Sequence, residues 1–457
     1  MLKMTQTTTS NSSFYSSLTM LLSRTISLLS RVLFVWLLIH FVIMTWLEYS
    51  IGLAGIGLTI IALWKEIIIV GIAARLWVQY HRHITNLWKS DTVFRMITIV
   101  LFATISITML ISARWGYGLW SYISAAKYNF IWFGVWWIAY IMGSLVDWKT
   151  NKSLHKWYTT TIKIVLILSL IRYTAIVIKP GILKYLWYSK YIYEGTLDSP
   201  PPAVYYSEMN QGIQRNQFVF ERPISYGFWL IAMRPIFFVI VLRRKPFSQT
   251  WFWWLIYGFV LLSTFSRAAR WSWIIQMWLL GYWTYQWQFK KFAKKVILPI
   301  VMIISAVAYL GYYEIFWWGR QFSNTGHINA LITSIHAVGQ HPLFGRGPGS
   351  VWPASHHFGE WFNTENQFLQ VMVEYGIVWS LWWLILFGGI IAGGGILRYH
   401  GKKSKQSDYL IAHSIGLVWL LISGLVLHSF VDRMIVRPIM ILIGIARGNY
   451  THRHTVK

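Results

Sequence analysis

Cysteine is absent from the 457-residue chain, which removes disulfides, thiolate nucleophiles and iron-sulfur clusters together. Charge is scarce too: 12% of residues are Asp, Glu, Lys or Arg, about half the share of a soluble domain. A soluble enzyme of any class is therefore excluded. Acidic residues are the scarcest, 14 against 41 basic ones, for a formal charge of +27. In an apolar chain this excess reads as orientation charge on membrane-flanking loops. Nucleic acid is not the implied partner, because the basic residues stand in short clusters between apolar runs and not on one polar face among base-stacking rings. Also missing are HExxH or Cys/His metal-ligand spacing, a small-residue cleavage site after the Ser/Thr-rich first 31 residues, and any repeat of solenoid or propeller period.

What is present is apolar. Hydrophobic residues make up 56% of the chain and the mean hydropathy is +0.47. Runs long enough to span a bilayer, roughly 17 to 25 residues each, recur at 32–48, 51–73, 94–112, 128–146 and 159–178. A second set lies at 226–242, 250–265, 271–286, 296–313, 371–395, 409–427 and 434–446. The fold class these predict is all-α, a polytopic integral membrane protein of about twelve transmembrane helices with a large, partly helical extracytoplasmic loop. Lys and Arg concentrate on segments that become cytoplasmic if the N-terminus is inside, so both termini are expected in the cytoplasm.

The resulting organisation is a cytoplasmic segment 1–31, helices one to five over 32–178, and a first large outer loop 179–225. Helices six to nine follow over 226–313, then a second large outer loop 314–370, helices ten to twelve over 371–446, and a cytoplasmic tail 447–457. Lys65, Glu66, Arg172 and Arg234 fall inside spans, where charge is costly, and are expected to face the protein interior and form structural ion pairs.

Chemistry is expected in the second outer loop. It holds His327, His336, His341, His356 and His357, with Glu314, Glu360, Glu365 and Glu374 at its borders. Imidazoles and carboxylates there can take a proton from a sugar hydroxyl, and the alternative for any single histidine is an ordinary interfacial role. Arg215, Arg222, Arg267, Arg270 and Arg346 are all outer. Guanidinium forks match phosphate oxygens bidentately, whereas a bland reading has them snorkelling to lipid headgroups. Arg267 and Arg270 have better claims, since the spacing in TFSRAARWSW places both on one face of a helix start or tight turn. HPLFGRGPGSV at 341–351 forces a turn-rich backbone around Arg346. Trp317, Trp318, Trp352 and Trp361 either stack on pyranose faces or belong to the interfacial aromatic belt.

Three segments in order, SRAARW at 266–271, HPLFGRGPGSV at 341–351 and TENQFLQVMVEYG at 364–376, resemble the O-antigen ligase and polymerase superfamily. The match covers about 250–390, and the remainder agrees in hydropathy alone. The resemblance implies a bacterial inner-membrane glycosyltransferase that is metal-independent, inverting and without cofactor. It would move a glycan from a polyprenyl diphosphate carrier to a hydroxyl acceptor, with membrane lipids and a chain-length regulator protein as further partners. It makes Arg267 and Arg346 diphosphate candidates, with Arg270, Arg222 and Arg215 beside them, and Asn366, Gln367, His341 and Trp361 acceptor or sugar contacts. A repeat-unit polymerase is favoured over a ligase.

One departure matters, because Glu365 precedes Asn366 where the family carries histidine. Either Glu365 is the base, or His356 or His357 supplies it, or Glu365 orients substrate. The rival class is a twelve-span secondary transporter, which predicts repeat-related halves and a long central inner loop. Here the inner link at 243–249 is short and the outer loops are long.

Overall fold

A computed structural model describes residues 31, 55–114, 122, 128–145, 148–179, 209–210, 213–220, 223–239, 247–266, 269–270, 272–273, 276, 321–351, 363–391, 405–425 and 433–455. The described chain is helical. Its elements are α1 (Gly55–Ser90), α2 (Thr92–Arg114), α3 (Ile131–Leu145), α4 (Trp148–Ile178), α5 (Pro223–Phe237), α6 (Phe247–Ser263), α7 (Gln321–Gln340), α8 (Gln367–Ile391), α9 (Lys405–Gly424) and α10 (Arg433–Thr455). A two-residue antiparallel ladder, β1 (Met209–Asn210) with β2 (Ile213–Gln214), precedes α5.

Three stretches, Thr92–Leu110, Lys152–Ile178 and Gln367–Ile391, are long and apolar enough to cross a membrane, and Ile131–Leu145, Phe252–Ser263 and Tyr409–Gly424 are shorter apolar helices. The apolar runs at 32–48 and 296–313, and nearly all of 271–286, lie outside the described residues. Large apolar side chains stay uncovered along whole helix faces: Met96, Ile99 and Phe102 on α2, Ile164, Leu168 and Ile171 on α4, and Leu381 and Ile385 on α8. Contiguous apolar faces of this kind are rare against water and suit lipid tails.

Two helices outrun the hydropathy that announced them. α1 continues past residue 73 to Ser90, with an irregular step at Tyr80 (φ −127°, ψ 21°), because Leu76, Ile84 and Leu87 recur at helical spacing and are buried. α4 begins at Trp148, well before the apolar run at 159, with His155 and Tyr158 buried in its first turns.

The tightest pairing is α10 on α3, where a Cβ at Gly448 would run into the Tyr140 carbonyl and one at Gly143 into the Ile445 backbone. Small residues at such a seam let two backbones approach closely. α9 packs on both α5 and α10, α8 on α2, and α7 on α8. Trp132 of α3 stacks on Phe387 of α8 at 4.7 Å between ring centroids. Among the described residues Arg234 meets no carboxylate. Its Nη1 donates to the Trp273 carbonyl at 2.8 Å, and the guanidinium lies over the Trp254 and Trp273 rings. The expected ion pair is thus replaced by a carbonyl and two indole faces, which satisfy a cation without a second buried charge. The side chains of Lys65 and Glu66 lie outside the described residues.

Two helices act as rulers between the ends of the bundle. On α4, His155 Nε2 meets His413 Nε2 near the start of α9 (2.9 Å). About 20 Å further along α4, Ser169 accepts a hydrogen bond from Asn216 Nδ2, which also reaches Ser263 at the end of α6. The end of α9 at Leu425 therefore rises to the same level as the turn after α6. On α3, Asn129 of the lead-in touches Glu374 and Tyr375 of α8, whereas Tyr140 donates to Asp91 Oδ2 (2.5 Å) at the opposite end. Asp91 also accepts from Thr451 Oγ1 (2.9 Å), caps α2 through the Phe94 amide (3.0 Å) and faces the Arg447 guanidinium at 3.6 Å. Burial pushes the Asp91 carboxyl up, but the Tyr140 hydroxyl, Arg447, the Phe94 amide and the Thr451 hydroxyl together hold it below its ordinary value.

Candidate functional site

The site grows from a break in α8. Gly376 sits at φ 79°, ψ 174°, a conformation open to glycine and strained for other residues, and it interrupts the helical hydrogen-bond ladder. The segment HPLFGRGPGSV fills the gap. Arg346 N donates to the Val373 carbonyl (2.7 Å), Gly347 N to the Glu374 carbonyl (3.0 Å), and Ile377 N to the Pro342 carbonyl (2.8 Å). A Cβ at Gly376 would collide with the Leu343 carbonyl, and one at Gly345 (φ 65°) with the Glu374 backbone. Two of the three recognised sequence segments are thus halves of one interlocked backbone.

Glu374 completes the lock. Its side chain is fully buried. Oε2 accepts from Asn129 Nδ2 at 2.5 Å and Oε1 from Gly349 N at 3.1 Å. Asn129 Nδ2 also donates to the Tyr375 hydroxyl (2.9 Å). The carboxylate therefore joins the α3 lead-in, the glycine-rich loop and α8, and a buried acceptor served by backbone and amide donors is a structural element of high consequence.

α7 runs alongside the start of α8 and carries three faces. Ala330, Ser334, Ala337 and Val338 turn toward the protein, Ile328, Leu331, Ile332 and Ile335 are exposed and apolar, and Asn329, Thr333, His336 and Gln340 are exposed and polar. One face packed, one apolar and one polar suits a helix at a boundary between protein, lipid and water. Arg346 is half-buried and donates from Nη2 to Gln340 Oε1 (2.5 Å), and Gln340 Nε2 approaches His336 Nδ1 at 3.4 Å. His341 is half-buried in the turn after α7, its amide donating to the Val338 carbonyl (3.1 Å).

Glu365 stands at the entry to α8 with φ 50°, a left-handed conformation uncommon for a residue with a side chain. Its amide donates to Asn363 Oδ1 (3.2 Å), and its carboxylate Oε2 pairs with His327 Nδ1 of α7. Asn366 caps α8, its Oδ1 accepting from the Phe368 and Leu369 amides at 2.9 and 3.0 Å. Its Nδ2 donates to the Leu425 carbonyl at the end of α9 (2.6 Å). Gln367 is buried in the first turn.

Arg215 is buried and donates from Nε to the Thr264 carbonyl at 2.9 Å, placing a cation at the C-terminal end of α6 where the helix dipole favours it. Phe265 turns the chain there with φ 49°. Ser266 Oγ then accepts from the Ala269 amide (3.3 Å), and the half-buried Arg270 lies over the Phe265 ring at 5.2 Å. Arg222, Arg267, His356, His357 and Trp361 lie outside the described residues.

The structure thus brings Arg215 and Arg270 to one turn, and joins Glu365 to His327. It puts the Glu365 entry, through Asn366 and Leu425, at the same end of the bundle as that turn. It does not bring Glu365 to Arg346, because their partners on α7, His327 and Gln340, are separated by about 20 Å of helix axis. Gln340 and Asn129 are not among the residues the sequence pointed to, and His327 stood there only as one of five outer-loop histidines able to take a proton. The polar stripe at 329, 333, 336 and 340 has helical spacing and was a readable signal for Gln340, whereas the contacts of His327 and Asn129 join distant segments. No protein-family model matches the chain, and no curated protein matches it.

Proposed function

We propose that the chain is a polytopic membrane glycosyltransferase of the O-antigen ligase and polymerase type, with about twelve spans and both termini cytoplasmic. It moves a glycan from a polyprenyl diphosphate carrier to a hydroxyl acceptor at the outer face of the bacterial inner membrane, as a repeat-unit polymerase. The observation that carries this reading is the interlock at Gly376. Two of the three segments on which the resemblance rests, 341–351 and 364–376, meet backbone to backbone in the structure. Arginines of the SRAARW turn neutralise the departing diphosphate while a group near Glu365 deprotonates the attacking hydroxyl. Arg346, farther along α7, holds a second anionic or hydroxyl-rich part of the substrate.

A broken helix is also how secondary transporters build ion sites. Here the carbonyls of Val373 and Glu374, freed by the break, are taken up by Arg346 N and Gly347 N, which favours the enzyme. The deciding experiment incubates purified protein, without metal or nucleotide, with a polyprenyl diphosphate-linked repeat unit and resolves products on a gel. A ladder of lengthening lipid-linked glycans is expected. Product only after a separate acceptor is added would make it a ligase, and proton-coupled uptake in proteoliposomes without transfer would make it a transporter.

A further inference from the structure

We propose that His327 is the general base of the transfer and that Glu365 is its positioning residue. This rests on the glycosyltransferase reading above. Glu365 Oε2 lies in ion-pair contact with His327 Nδ1. A carboxylate can only accept, so in the working pair the proton sits on Nδ1 and Nε2 presents its lone pair to the acceptor hydroxyl. The same carboxylate stabilises the imidazolium once Nε2 has taken a proton, the division of labour seen wherever a carboxylate orients a catalytic histidine.

The surroundings are those of a working pair and not of a core contact. The two side chains are 37% and 31% exposed, so a solute can reach the imidazole. Glu365 is nonetheless held from three sides. Asn363 Oδ1 accepts from its amide, Asn366 fixes the next residue as the α8 cap, and Asn366 Nδ2 ties that cap to the end of α9. A left-handed, non-glycine residue held by its neighbours is a position where backbone strain accompanies function. At the chain position where the resembled family carries a histidine, this protein carries the carboxylate, and the imidazole arrives from α7.

The step balances as follows. The acceptor hydroxyl oxygen attacks the anomeric carbon of the donor, forming the new glycosidic bond. The bond from that carbon to the phosphate oxygen breaks, and its electron pair leaves with the diphosphate. The hydroxyl proton passes to His327 Nε2 and then to water. The diphosphate departs from the face of the anomeric carbon opposite the attacking hydroxyl; of the described arginines, Arg270 at the turn after α6 lies at the same end of the bundle as His327, whereas Arg346 contacts α7 about 20 Å away.

The test uses the full-length protein in detergent or nanodiscs with the lipid-linked repeat unit and, where required, acceptor. His327→Ala is expected to lower kcat by about 100-fold or more with KM for the donor changed less than about threefold, and added imidazole is expected to restore part of the rate. Glu365→Gln is expected to lower kcat by about tenfold, again with KM little changed, and imidazole is expected not to restore it. Thermal unfolding of both variants should match the wild type. If His327→Ala keeps more than a tenth of wild-type kcat while Glu365→Gln abolishes turnover, Glu365 is the base and the proposal falls. If the His327→Ala loss is not rescued by imidazole and His327→Gln, which keeps bulk and polarity, restores full rate, the histidine is structural and the proposal falls. A wild-type protein that transfers no glycan from any lipid diphosphate overturns the glycosyltransferase reading itself, and the base with it.

Discussion

Glu365 and Glu374 come from the same short stretch of chain and sit in opposite environments. Glu374 is fully buried and takes hydrogen bonds from the Gly349 amide and Asn129, so it belongs to the architecture of the loop. Glu365 is partly exposed on a left-handed backbone and pairs with one imidazole. The same side chain is thus a structural acceptor where backbone donors converge on it, and a partly exposed ion-pair partner where an imidazole does. Asp91, at the other end of α3, follows the first pattern, with two hydroxyls, a backbone amide and a guanidinium around it.

If that contrast is right, disruption should follow the backbone contacts more than the charge. Gly376→Val is expected to be the most damaging, since its Cβ meets the Leu343 carbonyl at a positive φ. A loss of about 4 kcal/mol or more should appear as little folded protein by size-exclusion in mild detergent. Glu374→Ala leaves the Gly349 amide and Asn129 without their acceptor, at a cost of about 3 kcal/mol in thermal unfolding, and Glu374→Gln, which keeps one acceptor, should cost less. Equal and negligible effects of both would erase the distinction between the two glutamates.

Asp91→Asn should cost about 1 to 2 kcal/mol and carries a pH signature. Because the folded carboxyl lies below its ordinary value, its contribution is present above about pH 4 and is lost as pH falls through the folded value. The wild type should therefore lose unfolding temperature on acidification below about pH 4, and Asp91→Asn should lose less. The smallest effect on stability is expected for Glu365→Gln, within about 0.5 kcal/mol. A thermal loss there as large as for Glu374→Ala would show that Glu365 too is part of the architecture.

Much of the helical content could be read directly, because apolar runs of spanning length and a shortage of charge leave a chain few alternatives. Helix ends could not. α1 and α4 extend beyond their apolar runs because residues such as Leu76, Leu87 and Tyr158 find partners on other helices, and those partners have no trace in local hydropathy. Arg215 shows the same limit within the site. Its residue type fits phosphate, yet in the fold its Nε is bound to the Thr264 carbonyl at the end of α6.

The amino-acid order was sufficient for the apolar, helical class of the chain, and it marked the outer loop, Glu365 and Arg346 as candidates. These follow from composition, loop length and residue chemistry, all of which are local. Which carboxylate is buried, which histidine meets Glu365, and how far Arg346 stands from both were settled by packing. Each depends on contacts between segments remote in sequence: α7 beside α8, Asn129 against Glu374, and the glycine-rich loop seated in the break at Gly376. Side-chain identity states what a residue can do, and the donors and solvent that folding gathers around it select among those possibilities.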